Sequence, residues 1–163
     1  MKNAIFNLLK IWGASWAGLG ISTLPLLILR FFRVSEWWVY TVTAIVSGLA
    51  AAVILYALIY REEYKERVPN TSLRAEALSF GLSALMHVLL CTLTKGNVYV
   101  MAAMALLVDA WADMDPEQIT YGQVFVVALI FNLFYALAML LGARNGRKKR
   151  ARDRERLCET QSQ

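Results

Sequence analysis

The chain has one histidine, His87, and it lies inside a charge-free apolar run; Ser47 and Asn132 lie inside two others. An imidazole held among apolar residues accepts a proton or contacts a ligand, and an intramembrane ionisable group is by default a site candidate. A carboxamide such as Asn132 can donate and accept at once, so it suits the role of hydrogen-bond partner. Measured from the midpoints of their runs, His87, Asn132, Ser47 with Gly48, and Gly20 with Ser22 fall at similar depth. The spacing therefore predicts a midplane polar site of His87, Asn132 and Ser47. The plainer role for the same residues, and the favoured one, is hydrogen bonding between helices, where each bond contributes roughly 0.6–2 kcal/mol without chemistry.

His87 and Cys91 stand four residues apart and share a helix face, with Met86, Met101 and Met104 as further soft ligands in the neighbouring sequence. Imidazole, thiol and thioether together suit a soft metal. Two ligands without a second motif fall short of a site, and methionine is ordinary packing material, so no metal and no other cofactor is expected. Asp109, Asp113, Asp115 and Glu117 form an acidic segment, of which Asp115 and Glu117 are already accounted for as helix-start residues. The sequence has no Gly-rich phosphate loop, no HExxH, no nucleophile and base arrangement and no paired intramembrane aspartates, so an enzyme is not expected.

The elements that must position these residues follow from composition. Of 163 residues, 58% are hydrophobic and 18% charged, against roughly 45–50% and 25% in a soluble domain. Charge-free runs at 11–29, 37–60, 77–94, 96–108 and 118–143 mark the apolar segments, since a charge at the bilayer centre costs at least about 2.5–3.5 kcal/mol. A crossing helix needs roughly 20 apolar residues. The fold class expected is an all-α helical membrane bundle of four spans, about 11–30, 37–60, 77–95 and 118–143, with a short apolar re-entrant helix over 96–112. Five spans is the alternative. Asp115-Pro116-Glu117-Gln118 is a start signal for the last span. Pro69-Asn70-Thr71-Ser72 separates spans two and three, and Glu63 pairs with Arg67 across one turn of a charged helical continuation of span two. The first twelve residues place Asn3, Asn7 and Lys10 opposite Ile5, Phe6, Leu8, Leu9 and Trp12, which predicts a surface-lying lead-in to span one. The N-terminal apolar stretch lacks a small-residue cleavage pattern and is read as a retained span.

The net charge of +5 belongs entirely to residues 144–163, which carry eight Lys/Arg and three Asp/Glu. This segment is read as a basic, disordered cytoplasmic tail. Four spans with both termini cytoplasmic put fourteen Lys/Arg inside and three outside, as the positive-inside rule favours. Arg147, Lys148, Lys149, Arg150 and Arg152 are the expected contacts to anionic inner-leaflet lipid, at about 1 kcal/mol each. With no interleaved aromatics or folded platform in the tail, no nucleic-acid partner is expected.

Small residues are dense in spans one and two. Gly13/Ala17 and Ala14/Gly18 are small-xxx-small pairs that let backbones approach, with a partner expected inside the chain, and Pro25 is expected to kink span one. The function expected is that of a small non-enzymatic integral membrane protein, a subunit or accessory of a larger membrane assembly, with another membrane protein as its partner besides lipid. The alternative is a small transporter or channel-like protein using the midplane site, and a holin-like pore former ranks below both.

Overall fold

The computed structural model describes residues 2–31, 37–65, 72–94 and 121–161. They form four helices: α1 (Lys2–Phe31), α2 (Trp37–Tyr64), α3 (Leu73–Leu93) and α4 (Tyr121–Gln161). Among the described residues there is no strand. All four helices are long and apolar enough to cross a membrane. In hydrocarbon every backbone N–H and C=O must find its partner within the segment, and a helix does this without help from neighbours.

The expected all-α class and the four spans agree with this architecture. The expected re-entrant helix over 96–112, the acidic 109–117 segment, Arg67 and the Asp115-Pro116 start signal lie outside the described residues.

The side chains are sorted opposite to the pattern of a soluble bundle. Phe6, Leu9, Leu49, Val53, Leu78, Leu89, Val126, Ile130, Leu133 and Phe134 all point outward. Asn7, Ser15, Glu63, Glu76, Ser83, His87 and Asn132 are buried. An apolar exterior of this extent is stable only against lipid or another apolar surface, so the bundle matches a multi-pass membrane protein. Its core is Ile11, Ala14, Ala51, Leu55, Ile59, Phe80, Tyr135, Met139 and Ala143.

Close contacts fix the directions of the helices. α1 and α2 are antiparallel, with Gly18 against the Ser47 carbonyl and Ala51 and Lys10 paired with Glu62 at 2.5 Å. α2 and α4 run side by side in one direction: Gly48 receives the ring of Phe131, then Gly142 meets Tyr56 and Gly146 meets Tyr60. α3 and α4 are antiparallel, joined by His87 with Asn132 and by Glu76 with Arg147. α3 begins where Ser72, in extended conformation, accepts a hydrogen bond from the Ala75 N–H at 3.2 Å, which satisfies one of the donors left open at a helix start.

Three expectations change. Residues 2–12 do not form the surface-lying lead-in expected of the first twelve. α1 is continuous from Lys2, its Ala4, Asn7 and Ile11 face the bundle, and Ile5, Phe6, Leu9 and Trp12 face outward. The amphipathic stripe is real, but in a membrane the polar side seeks protein, as the hydrogen bonds from Asn7 to the Ser79 hydroxyl and from Ser83 to the Ala4 carbonyl show.

The expected disordered tail is helical. α4 carries on without a break through residues 144–161, and packing against α2 and α3 continues past the expected boundary at 143. A helix already nucleated by its span extends at little cost, the residues added are mostly good helix formers, and Lys149 with Asp153 braces one turn at 3.1 Å.

Third, the partner expected inside the chain is found for the Gly18 face but not for all of the small residues. Gly18 rests on α2, whereas Gly13 and Gly20 have nothing within 4 Å of where a Cβ would stand.

Candidate functional site

Two polar assemblies lie within the bundle. The first is the midplane pair. His87 comes from the middle of α3 and Asn132 from the apolar half of α4, both buried, with His87 Nδ1 2.9 Å from Asn132 Oδ1. Asn132 Nδ2 donates to the Ala128 carbonyl at 2.8 Å. A carbonyl only accepts, so that contact fixes the amide's orientation and leaves Oδ1 facing the imidazole. Nδ1 is therefore the protonated nitrogen and donates.

Cys91 Sγ stands 3.8 Å from His87 Nε2, one turn along α3. Tyr135, one turn from Asn132 on α4, is buried, as is Ser15 on α1, which donates to the Ile11 carbonyl at 2.8 Å. The pair thus sits between α3 and α4. Among the described residues no group of three or more His, Cys, Asp or Glu is placed to hold a metal ion. The Met101 and Met104 suggested as soft ligands lie outside the described residues.

The structure joins two of the three residues expected at midplane. Ser47 is half-buried on α2, its carbonyl against Gly18, and its neighbour Gly48 lies under Phe131. It shares depth with the pair but serves the α1–α2 contact.

The pair can exchange hydrogen bonds between α3 and α4 and orient a protonated imidazole nitrogen. We expect His87→Ala and Asn132→Ala each to lower stability by about 0.6–2 kcal/mol, with a coupling energy near 0.6 and no more than about 1.7 kcal/mol. A double-mutant cycle on thermal unfolding in detergent measures it, and strictly additive losses would show that the bond contributes nothing.

The second assembly was not anticipated. At the end of the bundle where α2 finishes and α3 starts, the Arg147 guanidinium forks between two carboxylates. Its Nε donates to Glu63 at 2.8 Å, and its Nη2 donates to Glu76. Glu63 and Glu76 side chains are only 5% and 9% exposed. Arg150 adds a hydrogen bond to the Glu63 backbone carbonyl at 2.8 Å, the Tyr64 hydroxyl donates to Asp153 at 3.0 Å, and Asn145 donates to the Tyr56 hydroxyl at 3.1 Å.

Of the five residues expected to contact lipid, Arg147 and Arg150 turn toward the bundle. Lys149 is exposed with Asp153 beside it, and Lys148 and Arg152 are exposed. A planar fork matched to two acceptors is geometry that lysine lacks. One signal in the sequence points here: Gly142-Ala143-Arg144-Asn145-Gly146 is a small-xxx-small pair that marks the face of α4 carrying Arg147 and Arg150. Assigning everything after 143 to a tail hides it.

Comparison with known proteins finds no relative: no family model, no curated protein and no solved structure matches the chain.

Proposed function

We propose that this chain is a non-enzymatic multi-pass protein of the cell membrane, both termini cytoplasmic, which serves as a subunit or accessory of a larger membrane assembly. The observation that carries the reading is α4. It leaves the apolar bundle as an unbroken helix, is held to α2 and α3 through Arg147, Arg150 and Asp153, and projects an exposed charged end beyond Asp153. A rigid arm fixed to a lipid-embedded body suits attachment to another protein. The interior polar groups His87 and Asn132 bond each other, and Ser15 bonds the Ile11 carbonyl of its own helix, as structural groups do. Near the membrane edge the exposed Lys148 remains available to anionic inner-leaflet lipid.

Purification of tagged protein from native membranes in mild detergent should yield a second membrane protein in fixed ratio. Recovery of this chain alone would reject the accessory reading. Orientation has its own measurement. In a background with Cys91 and Cys158 replaced by serine, a membrane-impermeant maleimide applied to intact cells should label Asp115→Cys and leave Lys65→Cys unmodified, and labelling at Lys65 would reverse the topology.

A small-solute transporter is the second reading, favoured by the His87–Asn132 pair at midplane depth. It requires solute binding by the purified protein that is lost in His87→Ala and Asn132→Ala while the bundle stays folded.

A further inference from the structure

The inward face of the α4 extension is occupied by Gly142, Gly146, Arg147, Arg150 and Asp153. On its outward side every fourth residue is a cation, Arg144, Lys148, Arg152 and Arg156, all exposed. Like charges four apart destabilise a helix by about 0.2–0.5 kcal/mol per pair; Asp153 beside Arg156 and Glu155 three residues after Arg152 offset part of this, and the stripe keeps a net positive charge.

Lipid covers only the near half. Residues 121–143 already exceed the roughly 20 needed to cross about 30 Å of hydrocarbon, and headgroups add only about 5–8 Å on each side. At about 1.5 Å per residue, Arg152 and Arg156 stand about 12 and 18 Å beyond Arg144. Arg152 then lies about 4–7 Å past the headgroups, where the attraction is weakened, and Arg156 about 10–13 Å past them, beyond a screening length of about 8 Å that removes most of it. A second copy would oppose the same stripe with like charge. Nucleic acid fits poorly, because Glu155 lies on the same face between Lys148 and Arg156, Glu159 follows it, and no aromatic side chain interleaves the cations. A protein helix bearing an acidic residue every fourth position matches both the spacing and the sign.

We propose that Arg152 and Arg156, the end of the stripe beyond the headgroups, form a docking surface for an acidic helical segment of a partner protein, an inference that rests on the accessory role above. The test uses full-length protein in nanodiscs, with a fluorescent alanine-based peptide carrying glutamate at every fourth position as the probe. Binding is expected in neutral and in phosphatidylserine-containing discs alike. It should weaken about fivefold or more in Arg152→Gln/Arg156→Gln, and also for a peptide of equal charge broken by proline. Loss of binding in phosphatidylserine discs, tighter binding of a DNA duplex, or unchanged affinity in the double variant would each overturn the stripe.

The two readings fail separately. A companion protein that co-purifies equally with wild type and with the double variant keeps the accessory role and removes the stripe. Peptide binding that depends on Arg152 and Arg156, with no companion in native membranes, keeps the stripe's chemistry and removes the accessory role.

Discussion

Replacing Arg147 with methionine is expected to lower the unfolding free energy by about 3–5 kcal/mol, because it leaves two buried carboxylates without their cation. Glu63 and Glu76 are nearly inaccessible, so water cannot take over from the guanidinium. Most of the loss should come from keeping the two acids buried without this cation and little from the missing attraction. The decisive variant is therefore the triple Arg147→Met/Glu63→Gln/Glu76→Gln, which should recover most of the stability, since exchanging a whole buried ionic group for neutral side chains is often close to neutral. Arg147→Lys should fall between, because an ammonium reaches one carboxylate well and cannot fork to both. Thermal unfolding in detergent, followed by helix content, reads all three. An Arg147→Met loss under about 1 kcal/mol, or a triple variant no better than the single, would show that the contact is a solvated surface pair. The half-buried pair Lys10 with Glu62, whose carboxylate is far more open to water than Glu63 or Glu76, is the comparison, worth about 1 kcal/mol when Lys10 is neutralised.

The clamp also shows which parts of the molecule were legible. Apolar run lengths expose the four helices, because hydrocarbon admits no other way to satisfy a backbone. His87 and Asn132 stand out because polar groups are rare in such runs, and equal depth in antiparallel neighbours brings them together. Ser47 has the same depth but a different helix face, and depth alone does not assign a face. Glu63 and Glu76 stay hidden because a carboxylate just beyond an apolar run looks solvated, Glu63 on a charged helical continuation with Arg67 one turn away, and because their partner Arg147 lies in a segment whose charge density suggests a disordered tail. The N-terminal stripe of Asn7 and Lys10 was visible but pointed the wrong way, since the preference for water that orients a surface helix becomes a preference for protein once lipid is the solvent. Local periodicity gives a helix its faces; only the identity of the surrounding medium says which face turns inward.

The remaining large effect concerns that packing directly. Gly142 and Gly146 lie one turn apart on α4, and α2 passes so close that an added Cβ would stand 2.6 Å from the Tyr56 carbonyl oxygen at the first position. At the second it would stand 2.7 Å from the Tyr60 carbonyl oxygen and 2.9 Å from the Glu63 Cβ. Backbone atoms cannot rotate aside as a side-chain end does, so the helices must separate. Gly142→Ala and Gly146→Ala should each cost about 1–3 kcal/mol, the usual range for overpacking, although alanine is the better helix former by about 0.8–1.0 kcal/mol. The two substitutions should not simply add. Whichever is made first moves α2 away, and at Gly146 that same movement draws Glu63 from Arg147. Gly146→Ala should therefore lose much of its effect in the triple background that lacks the clamp, whereas Gly142→Ala should keep its own. Gly13→Ala supplies the opposite sign: nothing lies within 4 Å of its Cβ position, so helix propensity acts alone and stability should hold or rise by up to about 1 kcal/mol. If unfolding shows all three glycines equally tolerant of alanine, α2 and α4 are not packed backbone to backbone, and the ion clamp would have to hold the base of the arm alone.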